Sequence, residues 1–298
     1  MAELKLKLRK DEILKIGLGL ATSVSAGILI VIVIFVAIEA WPALSSGPAG
    51  FWRDSSWNPT AGEKNLLPMV IGSLALCIGS LVVTFPIGVG SALFLNFYCP
   101  TFAREMMRRL LEVLAGIPSV VFGLWGLAVV VPMVAELSPL GQGQSLLAGV
   151  MIVSMMTVPL IALATDSSIR DVPEEHIKAG AALGLNKRAI IWSVVLPEAR
   201  AGILSGGILQ FARAIGETMA VLMVCGNVVK TPGSLFDPVR TLTANIALEM
   251  GYAEADHRSA LFVSGLLLLI LVTVIVVFAG RLNPHHRERA ARMKGAQP

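Results

Sequence analysis

Two charged residues, Arg213 and Glu217, lie four apart in FARAIGETMAVLMVCGN, residues 211–227, with apolar sequence on either side. Residues one helical turn apart share a face, so the spacing predicts a charge pair on one side of an apolar helix. If that helix crosses a bilayer, an unpaired arginine costs about 2.5–3.5 kcal/mol on insertion scales. Two uses fit such a residue. A guanidinium is a fork of donors that matches the oxygens of phosphate or a similar oxyanion. Alternatively, Arg213 pairs with Glu217, which makes the helix insertable and sets its packing. Both hold together if Glu217 neutralises Arg213 in an empty pathway and repels the anion from an occupied one.

Other candidates are weaker. Ser119 and Thr157 stand beside Pro118 and Pro159 in apolar runs; their hydroxyls suit either an anion or a neighbouring backbone carbonyl. Glu112 is expected to pair with Arg108 or Arg109. The four histidines and three cysteines show no metal-ligand spacing, so neither a metal nor a disulfide framework is predicted. No G-x-x-x-x-G-K-[ST] phosphate loop is present, so the chain is expected to be no enzyme and to need no cofactor of its own.

The elements that must position these residues are membrane helices. Mean hydropathy is +0.76 and only 15% of residues are charged, against about 25% in soluble domains. Apolar runs at 13–38, 69–97, 110–133, 146–164, 202–229 and 260–280 approach or exceed the roughly 20 residues that span a bilayer. The basic start before 13–38 resembles a signal peptide, but the run is about twice the usual signal core and lacks a small-residue cleavage site. It is read as a retained span. Trp41, Trp52 and Trp57 are expected at headgroup level. Helix 110–133 is expected to be interrupted at Gly116–Pro118–Ser119.

Six spans put both termini on one side. Eighteen of the 24 Lys and Arg residues fall in segments on that side, five fall on the other, and Arg213 lies in a span. The positive-inside rule places both termini and segment 166–200 in the cytoplasm, and accounts for the net charge of +4 without nucleic acid. Arg213 then stands about a dozen residues, roughly 20 Å of helix, from the cytoplasmic start of span 202–229. The predicted organisation is residues 1–68 (basic start, first span, outer loop), a permease core at 69–281 and a basic tail at 282–298.

Segment 166–200 is balanced in charge, with five basic and five acidic residues, so it is no lipid-binding patch. Pro173 followed by Glu174 and Glu175 predicts a helix start, Gly184 and Asn186 a turn, and residues 189–195 a second helix ended before Pro197. Exposed small and apolar residues between two spans suggest a knob that fits a groove on a partner protein.

The spacing Lys178-Ala179-Gly180, Gly184 and Leu196-Pro197 resembles the EAA loop of ABC importer permeases, which docks into a cleft of a cytoplasmic ATPase. Lys178 stands where that pattern has glutamate, and Gly180 where it has alanine. The runs LAGIPSVVFG, VLPEARAGI and RAIGETMAVLMVCGN, with FWRDSSWNP nearer the start, are similar to the PstC family of phosphate importer permeases. The resemblance implies an all-α integral membrane protein with six transmembrane helices and the MetI-like (type I) fold. It further implies a PstA-like permease partner, two copies of a PstB-like ATPase that hydrolyses the ATP, and a periplasmic phosphate-binding protein, PstS. Arg213 and Glu217 match the family's intramembrane charges implicated in phosphate passage. The expected location is the bacterial inner membrane. The alternatives are a same-fold permease for sulfate, molybdate or phosphonate, or a stand-alone channel or carrier, for which a folded cytoplasmic knob has little use.

Overall fold

The computed structural model describes residues 2–282 except 54, 55 and 140; the basic tail beyond Leu282 lies outside the described residues. Among the described residues, six helices are long and apolar enough to cross a membrane: Leu14–Ser45, Leu67–Phe97, Ser119–Leu137, Leu146–Arg170, Lys187–Ile215 and Ala255–Phe278. In chain order the elements are α1 (Ala2–Ser45), α2 (Gly50–Arg53), β1 (Trp57–Asn58), β2 (Glu63–Lys64), α3 (Leu67–Phe97), α4 (Thr101–Gly116), α5 (Ser119–Trp125), α6 (Val131–Leu137), α7 (Leu146–Arg170), α8 (Glu174–Ala182), α9 (Lys187–Ile190), α10 (Leu196–Ile215), α11 (Met219–Val224), α12 (Leu242–Glu249) and α13 (Ala255–Leu282). β1 and β2 form one small antiparallel hairpin in the loop after α1.

Helix α7 is the axis of the bundle. It packs along α3 and also meets α10 and α4, while α1 lies outside against α13. Small residues set the α3–α7 distance. A Cβ on Gly88 would stand 2.6 Å from Ile161 Cγ2 and 3.2 Å from the backbone nitrogen of Ala162, so only glycine permits this approach. The core falls into three clusters: a central one around Leu76, Ile152 and Val224; one toward the hairpin around Phe51, Leu66 and Leu261; and one at the opposite end around Ala92, Ile169 and Val195.

Two of the expected spans have different limits. Residues 110–116 belong to α4, an amphipathic helix with no buried residue, and the third span begins at Ser119. Ile117, with ψ of 130°, is extended because the ring of Pro118 disfavours the helical conformation in the residue before it. The fifth span begins at Lys187 and ends at Ile215, both earlier than expected. It runs through Pro197 instead of stopping before it. The π-turn at Ile191–Val195, closed by the Leu196 N–H on the Ile191 carbonyl, re-registers the hydrogen bonds just ahead of the proline, which can neither donate nor tolerate the carbonyl one turn back. The same device precedes Pro132, where Val131 donates to Gly126.

Trp57, expected at headgroup level, is turned into the protein. It is buried, and its indole donates to Glu249 Oε2 at 2.7 Å. Trp41 and Trp52 are exposed.

Candidate substrate pathway and coupling surface

The stretch at 211–227 is a broken helix. Arg213 sits in the last turn of α10, whose C-cap is Gly216, and the Gly216 N–H closes the turn on the Arg213 carbonyl. A new helix, α11, begins at Met219. Between them the Glu217 carboxylate folds back onto its own chain, accepting the backbone N–H groups of Thr218 at 3.1 Å and Ala220 at 3.3 Å. An acidic oxygen at a helix start satisfies donors that have no partner within the helix. The expected Arg213–Glu217 pair is therefore not formed: Gly216 ends the helix between them, and the carboxylate is occupied by amides. The hydroxyl of Thr243, from α12, donates to the Glu217 carbonyl at 2.7 Å and pins the break. Asn227 ends the segment with a φ of 55°, its amide donating to the Leu222 carbonyl. Irregular backbone at membrane depth is tolerated where protein or a polar cavity covers it.

Arg213 is exposed and makes no ion pair or side-chain hydrogen bond among the described residues. Its helix starts at Lys187, 26 residues earlier, so Arg213 lies about 40 Å along one rod, not 20 Å.

Thr157 is buried and bonds the Val153 carbonyl at 2.8 Å and the Thr84 hydroxyl at 3.0 Å. Gln210, unnoticed in the sequence, lines with Thr157 and Ser80 a slot too narrow for water, and its Oε1 has no donor among the described residues. Ser119 is half-buried at the first position of α5, just past the Pro118 break. Thr157 thus stands inside the bundle and Arg213 on its surface.

In segment 166–200, Glu174 and Glu175 open α8 as predicted. Glu174 pairs with Lys178 one turn on, at 3.2 Å with both side chains largely exposed. Ala179 is exposed and Gly180 buried against Ile190, Leu185 and Val194. Gly184 makes the turn with a φ of +80°, open to glycine at no steric cost, and the Asn186 side chain caps α9 by accepting the Ala189 N–H. Leu183, at the end of α8, is 82% exposed. Leu196 is half-buried and Pro197 exposed. His176 Nδ1 meets Glu198 Oε2 at 2.7 Å, and Lys187 lies over the Tyr98 ring at 4.5 Å; these tie the α8–α9 unit to α10 and α3.

Beside this segment is an ionic cluster that sequence reasoning missed. Asp166 is fully buried. Its carboxylate accepts both Arg108 Nε (3.0 Å) and Arg108 Nη2 (2.9 Å), the Asn96 amide at 2.8 Å and Arg170 Nη2 at 3.0 Å. This bidentate contact holds the Arg108 guanidinium above its ordinary pKa. Glu112, expected to pair with Arg108 or Arg109, makes no ion pair with either: Arg109 and the remaining reach of Arg108 go to Glu105, while Glu112 only adds to the field around Arg108. Near the hairpin a second buried acid, Glu249, accepts from Trp57 and from Arg240 Nη1 at 2.5 Å and meets His257 Nε2 at 2.8 Å.

A family model described as binding-protein-dependent transport system inner membrane component matches residues 84–288. Over 244 residues the chain is 33% identical to a protein of Bacillus subtilis named as a probable ABC transporter permease, YqgH, covering 80% of this chain and 79% of that one. Over 282 residues it is 31% identical to the phosphate transport system permease protein PstC of Xylella fastidiosa, covering 87% of each. Among solved structures it resembles a chain of the MetNI methionine ABC transporter in an inward-facing form, with a TM-score of 0.59 and 22% identity over 74% of this chain and 95% of that one. A chain of a bacterial alginate ABC transporter matches with a TM-score of 0.58 and 14% identity, over 87% and 94%. With the six helices these likenesses establish the all-α, MetI-like permease fold, and the chain belongs to the family of binding-protein-dependent transport system inner membrane components.

Proposed function

We propose that this chain is a permease subunit of an ATP-driven importer for inorganic phosphate and forms half of the translocation pathway. The single observation that carries the reading is Arg213: a guanidinium at the end of a membrane helix, unpaired among the described residues, in a chain whose relatives include phosphate transport permeases matched over 87% of their length. A permanent cation at that depth is costly unless something anionic meets it, and its donor fork suits a tetrahedral oxyanion. Glu217, engaged with the α11 amides, shapes the break and leaves Arg213 free for the substrate. Ser119, at the second break, is a further donor; Thr157 supports the helix packing behind the pathway.

The other half of the pathway is a PstA-like permease. Two PstB-like ATPases supply the ATP chemistry, since the chain is a permease without its own nucleotide site or cofactor, and a PstS-like periplasmic protein delivers phosphate. Residues 69–281 form the permease core, 1–68 precede it and 282–298 follow it. The chain sits in the inner membrane with both termini cytoplasmic. Within the coupling segment 166–200, the exposed α8 face and Leu183 at its tip dock on one ATPase, while the buried Asp166 makes no contact with it. ATP-driven closure of the ATPases moves α8, and alternating access follows as the rod from Lys187 carries that movement to Arg213.

The test uses the assembled complex. ATPase stimulation by phosphate-loaded binding protein, and not by sulfate-loaded binding protein, is the expected result. Stimulation by sulfate alone would make the chain a permease for another oxyanion, and transport without any ATPase would make it a carrier. Deletion of residues 179–186 should leave an inserted protein that no longer binds its ATPase.

A further inference from the structure

Asp166 lies in the last turn and a half of α7, eight residues before the coupling helix α8 begins. The join is short and stiff: Asp171 and Val172 donate back to Ser167 and Ile169, and Val172 is buried with Ile169, Ile190 and Val195. Movement of α8 therefore turns the end of α7 with it. Asp166 is the only contact of that turn that grips α3 and α4 ionically among the described residues, through Asn96 and the bidentate Arg108. Helix α4 has no buried residue, and two arginines tie it to the bundle: Arg104 donates to the Asn96 and Cys99 carbonyls at the end of α3, and the Arg108 fork alone reaches α7. Two turns beyond Arg108, α4 ends at the Pro118 break, and α5 begins. Helix α5 packs on α11 so closely that a Cβ on Gly123 would stand 2.9 Å from the Ala220 Cα. Ala220 is the residue whose N–H is held by Glu217.

We infer that Asp166 is a positioning residue for transport: its clamp on Arg108 passes movement of the coupling helix through α4 and α5 to the helix break that presents Arg213. The inference rests on the importer reading above. A purely structural role is a poor explanation of the cluster, because apolar residues of similar volume stabilise a buried site as well as an ion pair does, or better. What an ion pair adds is a directional hold that transmits rotation between two helices without repacking either. A physical coupling element is one whose state both ends bias, and this clamp is joined at one end to the docking helix and at the other to the pathway break. It gives the pathway a second link besides the direct rod of α10.

The experiment compares wild type, Asp166→Asn and Arg108→Lys in the complete reconstituted complex. Three quantities are read: co-purification with the ATPase, unstimulated ATP hydrolysis, and hydrolysis and uptake stimulated by phosphate-loaded binding protein. For Asp166→Asn the expected result is normal co-purification and normal unstimulated hydrolysis, with stimulated hydrolysis and uptake lowered about threefold to thirtyfold, the range of coupling changes from non-contact residues. Arg108→Lys keeps the charge and loses the fork, and should fall between that variant and wild type. Wild-type stimulation in Asp166→Asn overturns the inference. So does failure of both variants to co-purify with the ATPase, which would make the cluster a folding element alone. If the wild-type complex answers to another loaded binding protein and not to phosphate, the phosphate reading fails instead, and the same comparison is made on the substrate that stimulates.

Discussion

Asp166 and Arg213 are both charges carried by membrane helices, and the molecule treats them in opposite ways. Asp166 is fully enclosed and receives donors from Asn96, Arg108 and Arg170 on three helices. Arg213 is exposed, and its nearest acid in sequence, Glu217, is turned away to cap α11. Where a buried charge fixes the fold, its partners are supplied by the same chain, since an uncompensated one is costly. In the reading proposed above, Arg213, left without a partner among the described residues, is held for a group that arrives from outside. The contrast also separates holding from contact: loss of the first site should cost stability as well as coupling, and loss of the second substrate passage alone.

Stability measurements on the purified protein can break this division. Asp166→Ala removes every acceptor of the cluster and should destabilise by about 3–5 kcal/mol, the range for breaking a buried pair, seen as loss of inserted, monodisperse protein or a large fall in apparent Tm. Glu249→Gln weakens the other buried cluster and should cost about 1.5–3 kcal/mol, as hydrogen bonds to a charged group do. Glu217→Ala removes the carboxylate that caps α11, with an expected cost of about 0.5–2 kcal/mol. Arg213→Gln removes an unpaired charge and should destabilise by no more than about 0.5 kcal/mol, with any larger change in the stabilising direction. If Arg213→Gln destabilises as much as Asp166→Ala, the two sites are alike and the division is wrong.

The pH dependence sharpens the same point. Burial alone would raise the Glu249 carboxyl, but the hydrogen bonds from Trp57, His257 and Arg240 outweigh it and hold the group below its ordinary pKa. A depressed carboxyl contributes stability that is fully present above its unfolded pKa and is lost as pH falls through the folded value. Apparent Tm should therefore fall with acidification below the ordinary carboxylate range, and Glu249→Gln should flatten that part of the profile. An equal acid dependence in wild type and variant would remove Glu249 from the account.

Much of the architecture was legible in the sequence because its signals are local. Apolar length marks a span, Pro118 forces its predecessor out of the helix, and Gly184 with Asn186 marks the turn and cap of the coupling segment. The misses have physical causes of two kinds. One is competition within a few residues: helical spacing pairs Arg213 with Glu217, but it does not show that Gly216 ends the helix and that backbone amides take the carboxylate first. Likewise, the π-turn at Ile191–Val195 lets the helix pass a proline that should stop it. The other kind is distance along the chain. Asp166 meets Arg108 across 58 residues and Asn96 across 70, and Trp57 meets Glu249 across 192. No periodicity encodes such pairs, so the burial of Asp166 and the seating of Trp57 on Glu249 do not show in the sequence. A free polar atom such as Gln210 Oε1 emerges only once its neighbours are known.

The central claim is that Arg213 is kept unpaired to meet the transported anion. The most direct measurement is phosphate uptake into proteoliposomes holding the complete complex, wild type against Arg213→Gln, with ATPase binding and unstimulated hydrolysis checked in both. The account predicts uptake reduced at least about tenfold, the effect of losing one charge-assisted contact of roughly 1.4 kcal/mol or more, with ATPase binding and unstimulated hydrolysis at wild-type levels. Uptake by Arg213→Gln at the wild-type rate would contradict it.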